Sequence, residues 1–163
     1  MILLDIDGVL NPCPFSTERS KDWVFDPEFM AKCFPINASC EMVRALLDLN
    51  RPIEWLTTWC MYRDDANQHI GPRIGMPRLK NNHTPYPDEG WWKRAVYHAK
   101  RLQFDGPIVW IDDDLAGAGL PVEYGKAAVD PLDPATLYVC PETDVGLTKA
   151  HIEVIAEFLG RFK

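Results

Sequence analysis

Ile2-Leu3-Leu4-Asp5-Ile6-Asp7-Gly8 opens the chain and decides how the rest is read. Its apolar residues run on without the polar alternation of a half-exposed strand, which marks a strand covered on both faces. Two carboxylates stand at i and i+2, so they project to one side of the strand end. Gly8 lets the chain turn sharply just after them. A buried strand that ends in acid predicts a parallel sheet with a ligand crevice outside its carboxyl edge.

The same pattern recurs downstream. Ile53-Glu54-Trp55-Leu56-Thr57 reads as a strand ending in a hydroxyl, and Ile108-Val109-Trp110-Ile111 as a strand ending in Asp112-Asp113-Asp114. Ala127 to Asp130 and Leu137 to Cys140 add two weaker strands. Helical periodicity separates them. Ser39 caps a helix with Met42, Val43, Leu46 and Leu47 on one face, and Tyr62 to Ile70 is a helix stopped by Gly71-Pro72. Trp91, Trp92, Ala95, Val96, Ala99 and Leu102 make a stripe that ends before Gly106-Pro107. A last helix from Thr148 carries Ile152, Ile155, Ala156, Leu159 and Phe162 on one side. Residues 71–90 read as loop. Residues 11–38 read as a short flap around one strand, Trp23-Val24-Phe25, too short for a separate cap domain. Alternating strands and helices predict an α/β fold: one domain over 1–163, three-layered and Rossmann-like, with a mostly parallel central sheet.

Composition narrows the partners. Apolar residues make up 47% of the 163 and charged residues 25%, which suits a globule with a real core and excludes a disordered or collagen-like chain. The net charge of −7 opposes broad binding to a phosphate backbone. The five cysteines, Cys13, Cys33, Cys40, Cys60 and Cys140, form no C-x-x-C pair. They read as free thiols of a reducing, cytoplasmic compartment. No apolar run reaches the ~20 residues of a membrane span, and Asp5 interrupts any leader-like start.

Five carboxylates (Asp5, Asp7, Asp112, Asp113 and Asp114) are thus expected at one sheet edge, where they repel one another unless a cation compensates them. Oxygen donors without histidine favour a hard ion, Mg²⁺. Thr57 offers a hydroxyl at the neighbouring strand end, and Lys93 a cation at the start of the helix that leads to the acidic strand.

These pieces resemble the four motifs of the haloacid dehalogenase superfamily of phosphotransferases. The first is matched by Ile2-Leu3-Leu4-Asp5-Ile6-Asp7-Gly8-Val9, the second by Ile53 to Thr57, the third by Lys93, and the fourth by Ile108 to Asp113. Val9 stands where many relatives carry Thr. Leu10-Asn11-Pro12, Trp55-Leu56-Thr57-Thr58-Trp59 and Gly146-Leu147-Thr148 are also similar to small members associated with RNA repair. The resemblance implies a Mg²⁺-dependent phosphatase in which Asp5 is the nucleophile and Asp7 the general acid and base. Asp5, Asp7 and the Asp112/Asp113 pair would hold the ion, and Thr57 and Lys93 the phosphate oxygens, with Thr58 and Trp59 at the substrate. Lys80 and Lys126 compete with Lys93 for its role, and Asp114 with its neighbours for the ion.

Trp55 and Trp110, inside strands, read as core, whereas Trp23 and Trp59 flank the site and offer rings on which a terminal nucleotide could stack. His69, His83, His98 and His151 show no metal-like spacing and read as surface residues. Two other classes use similar parts. A receiver-type or inactive phosphate-binding domain also joins acids, Thr and Lys around Mg²⁺, but its acceptor Asp sits on a middle strand. A D-x-D sugar transferase needs a nucleotide-sugar domain for which this chain has little room.

Overall fold

The computed structural model describes residues 1–12, 23–25, 37–60, 65–82 and 91–162. In chain order the elements are β1 (Ile2–Leu4), β2 (Trp23–Phe25), β3 (Asn37–Ser39), α1 (Cys40–Asp48) and β4 (Ile53–Trp55). A 3₁₀ turn (Thr58–Cys60) and a π-helical turn (Ala66–Ile70) lead into α2 (Gly71–Ile74) and β5 (Lys80–Asn81). α3 (Trp92–Arg101), β6 (Ile108–Ile111), β7 (Lys126–Val129), β8 (Thr136–Cys140) and α4 (Lys149–Gly160) complete the chain.

The fold is α/β. Six strands form a sheet in the order β5-β4-β1-β6-β8-β7, all parallel except β7, which runs antiparallel to β8 at one edge. β1 sits inside it because nothing in Ile2-Leu3-Leu4 needs water: all three are fully buried. Its side chains alternate between two apolar clusters. Ile2 and Leu4 pack with Val43 and Leu46 of α1 and Ile155, Phe158 and Leu159 of α4, while Leu3 packs with Trp92, Val96 and Tyr97 of α3. Both clusters include buried residues of β6 and β8, so alternate side chains of these strands are buried in different clusters, and the strands are apolar throughout for that reason.

Caps fix the helix starts. The Ser39 Oγ accepts from the Met42 amide at 3.3 Å, as the sequence predicts. Thr148 caps α4 reciprocally with His151, whose Nδ1 accepts from the Thr148 amide at 3.2 Å. His151 is therefore buried and not the surface residue expected, while His69 and His98 are exposed and His83 lies outside the described residues. Burial pushes the His151 imidazole pKa down, so it caps as the neutral ring.

Four further expectations need correction. Gly71-Pro72 does not stop a helix: the chain stays helical from Ala66 to Ile74, with Pro72 in the first turn of α2, where its missing N–H costs nothing. The end comes at Gly75, whose φ is +79°. The stretch read as loop also contains β5, which extends the sheet beside β4, held there by Asn67: its amide donates to the Leu79 carbonyl at 2.8 Å, and its Oδ1 accepts from Trp55 Nε1 at 2.9 Å. The expected stripe on α3 is rotated. Trp92, Lys93, Val96 and Tyr97 face inward, Ala95 and Ala99 face water, and Leu102 is 87% exposed. The last helix likewise buries Phe158 in place of Ala156. Trp55 and Trp110 are core as expected, and Trp110 stacks on Trp91 and Tyr97 at 5.1 and 5.2 Å between ring centroids.

Of the flap, β2 is present where expected and pairs antiparallel with β3, which leads straight into α1. The rings of Trp23 and Phe25, Cys13 and Cys33, and the start of the Tyr62–Ile70 helix lie outside the described residues. No helix among the described residues is long and apolar enough to cross a membrane.

Candidate active site

Ladder hydrogen bonds continue one residue past the strand ends and bring the acids together. The Asp5 amide donates to the Ile111 carbonyl and the Asp112 amide to that of Val139, each at 3.0 Å. Asp5 therefore follows β1 directly beside Asp112 at the end of β6. Asp5, Asp112 and Asp113 each place one carboxylate oxygen within 4.8 Å of the others. Asp114 turns outward and is exposed, leaving its amide to donate to Asp112 Oδ1 at 3.0 Å.

Lys93 enters this cluster from α3. Its Nζ donates to Asp5 Oδ2 at 2.5 Å and to Asp112 Oδ2 at 2.7 Å, with the side chain 4% exposed. The rotation of α3 has its cause here: an ammonium drawn between two buried carboxylates sets which face turns inward. Lys80 instead pairs with Glu54, where Lys100 also binds, and Lys126 lies on the edge strand β7. Of the three lysines, Lys93 is the one whose ammonium meets the carboxylates of this cluster.

Charge balance within the cluster is uneven. Burial would lower the Lys93 pKa, but the charges of Asp5 and Asp112 more than reverse this and keep it protonated. Burial and the charge of Asp5 push Asp112 upward despite its contact with Lys93. Burial raises Asp113 to about 6, against a lowering hydrogen bond from Thr143 Oγ1 at 2.7 Å. One ammonium faces three carboxyl groups, and the upward shifts of Asp112 and Asp113 answer their burial and their crowding.

Gly8 makes the space for Asp113. A Cβ at Gly8 would lie 2.0 Å from Asp113 Oδ2, and its φ is +66°. Gly75 has a similar φ of +79° with nothing within 4 Å, so it isolates the backbone part of the cost. Gly75→Ala should lose roughly 1–2 kcal/mol for the left-handed backbone alone. Gly8→Ala should lose about 1–3 kcal/mol more for overpacking, measured by urea unfolding of both variants. Equal losses would mean that the Asp113 carboxylate does not occupy that space.

Asp7 is held apart from the triad. Its Oδ1 accepts from Asn11 Nδ2 at 3.1 Å and its Oδ2 from Trp59 Nε1 at 2.7 Å. Burial raises its pKa, those two hydrogen bonds lower it, and the charge of Asp5 raises it; the net direction is up. Thr57 is fully buried two residues beyond β4, and its Oγ1 lies 3.5 Å from the Trp59 amide. Thr58 is exposed. Trp59 is 9% exposed and its N–H is committed to Asp7, so the open stacking face expected of it is not there.

Of the five carboxylates, Thr57 and Lys93 that the sequence places at one sheet edge, the structure brings Asp5, Asp112, Asp113 and Lys93 together, and leaves Asp7 against Asn11 and Trp59 and Asp114 exposed. The sequence reading did not anticipate Asn11 and Thr143 as partners of carboxylates, or Trp59 as a donor. Asn11 carried a faint signal, four residues after Asp7 in a tight turn. Thr143 carried none, because it reaches Asp113 from a separate loop after β8.

Comparisons of the chain with protein-family models, with curated proteins and with solved structures return no match. The resemblance to the haloacid dehalogenase superfamily therefore rests on the sequence motifs quoted above alone.

Proposed function

We propose that this chain is a Mg²⁺-dependent phosphohydrolase of three-layer, Rossmann-like build that works through an aspartyl-phosphate. The observation that carries the proposal is the meeting of Asp5, Asp112, Asp113 and Lys93 Nζ at the carboxyl ends of adjacent parallel strands. Asp5 attacks the phosphorus in line, forming an O–P bond as the ester P–O bond breaks. Asp7, whose carboxyl group is held by Asn11 and Trp59, gives its proton to the leaving oxygen. It then takes a proton from the water that cleaves the acyl-phosphate. Lys93, and Thr57 once substrate draws its hydroxyl toward the phosphate, meet the charge that spreads over the phosphoryl oxygens.

The donor set fits a hard cation. The triad offers carboxylate oxygens only, so Asp5, Asp112, Asp113 and the Asp7 carbonyl would hold Mg²⁺. When bound, that ion supplies the positive charge that lets an anionic nucleophile approach an anionic substrate. The proposed substrate is a nucleotide or nucleic-acid terminal phosphate, supported by the likeness to RNA-repair-associated members. A cytoplasmic setting agrees with Cys40 and Cys140, which are unpaired thiols.

The test is phosphate release from a panel of esters with and without Mg²⁺. Asp112→Ala and Asp113→Ala should each raise the Mg²⁺ concentration needed for half-maximal rate by roughly 10–100-fold, the range seen when a residue supporting a metal is lost. Identical titrations for both variants would remove the acidic pair from the ion site. Phosphorylation of Asp5 that persists without turnover would instead mark a signalling or phosphate-binding domain.

A further inference from the structure

We infer that Trp59 is a positioning residue for proton transfer: its indole N–H and the Asn11 amide fix the Asp7 carboxyl group from opposite oxygens. The inference rests on the phosphohydrolase reading and identifies a residue that the four motifs do not include. Trp59 follows β4 by four positions, within the 3₁₀ turn, and reaches Asp7 across 52 positions of sequence. Its ring packs in the larger apolar cluster with Val9 and Leu10, which anchors the arm that presents the N–H. Asn11 holds the other oxygen through the turn that follows β1, in which the Gly8 amide donates to the Asn11 carbonyl at 2.9 Å. A carboxyl group gripped at both oxygens cannot rotate freely about its terminal bond.

That grip has a chemical consequence. In the first half-reaction the Asp7 proton passes to the ester oxygen while Asp5–P forms and P–O breaks. Asp7 is left as a carboxylate, and Trp59 and Asn11 are the two donors that hold it, one at each oxygen. In the second, water gives its proton back to Asp7 while its oxygen binds phosphorus and Asp5–P breaks. The sum is ester plus water to alcohol plus phosphate. Each carboxylate oxygen has two lone pairs, so one site remains on each for the substrate or the water. The grip matters most for esters whose leaving oxygen needs the proton, which are alkyl and sugar phosphates, and least for aryl phosphates.

Trp59→Phe keeps the ring and removes only the donor. It should lower kcat/KM for an alkyl phosphate by roughly 10–100-fold, the worth of a hydrogen bond to a charged group, and for 4-nitrophenyl phosphate by less than about threefold. In an Asp7→Ala background the same change should add less than about twofold, because its effect passes through Asp7. A structural role would instead reduce both substrates alike and add in full. The bond itself is read by NMR in the unliganded protein: the Trp59 indole N–H resonance should move on Asp7→Ala, a measurement that does not require Trp59→Phe to fold. An unmoved resonance, or equal losses on both esters, overturns the role of Trp59 alone. A parent protein inactive on every ester overturns the phosphohydrolase reading and this role with it.

Discussion

Asp5→Asn should abolish turnover and leave the fold in place. The amide keeps the shape of the carboxylate but has no anionic oxygen with which to form a bond to phosphorus. Removal of a covalent nucleophile costs ~10⁴-fold or more in kcat, so the residual rate should approach that of the uncatalysed ester. The fold survives for an electrostatic reason. Asp5 Oδ2 accepts from Lys93 and Oδ1 from the Ile6 amide at 2.7 Å, and one amide oxygen can satisfy only one of these donors. Lys93 keeps Asp112 at 2.7 Å, and Asp112 loses the like charge that opposed its ionisation. Circular dichroism and thermal unfolding check the fold, and phosphate release from aryl and alkyl esters checks activity. Hydrolysis near the parental rate by folded Asp5→Asn protein would exclude Asp5 as the nucleophile.

What the sequence made legible was whatever local chemistry dictates. A run such as Ile2-Leu3-Leu4 has no polar group for water, so its burial at the sheet centre follows directly. Carboxylates just after such runs land at the sheet edge because strand direction places them there, and this brought Asp5 and Asp112 together without knowledge of the fold. The helix cap at Ser39 was legible for the same reason: it satisfies a backbone donor three residues on.

What stayed hidden depends on contacts between distant segments. The periodicity of Trp91 to Leu102 gave a stripe, but which face turns inward was set by Lys93 reaching Asp5 over 88 positions and by Tyr97 stacking on Trp110. An apolar count places lysine outside; two buried carboxylates place it inside. The helix through Gly71-Pro72 continued because proline is tolerated in a first turn, a choice that the dipeptide alone does not reveal. β5 is two residues long, below what periodicity can register, and depends on Asn67 to dock against β4. Local pattern failed most at α3, where the helix serves the site as well as the core.

Lys93 supplies the second large effect, and it falls on stability as well as on rate. Lys93→Met keeps the length and most of the packing of a side chain that is 4% exposed, but removes the ammonium between Asp5 and Asp112. Removing one partner from a buried ion pair leaves uncompensated charge and costs about 3–5 kcal/mol. At roughly 2–4 °C per kcal/mol for a domain of this size, Tm near pH 8 without divalent cation should fall by about 6–20 °C. The sign of the pH dependence follows from the raised carboxyls. Asp113, moved from its ordinary 3.8 to about 6, holds its proton more tightly when folded. Its stabilising contribution is thus complete below about 4 and lost as pH rises through 6. Asp112 is displaced in the same direction, to about 8, and loss of Lys93 lifts it further, so the deficit of the variant, most of it present at pH 5, widens as pH approaches 8. Lys93 itself is displaced upward and stays charged over that whole range, so the parent gains nothing comparable at low pH. Saturating Mg²⁺ restores positive charge to the same oxygens and should return at least half of the lost Tm at pH 8 while leaving hydrolysis impaired, since a phosphoryl-binding cation is still missing. A Tm deficit that is equal at pH 5 and pH 8, and unchanged by Mg²⁺, would mean that Lys93 stabilises by packing alone and that the three carboxylates do not share a cation.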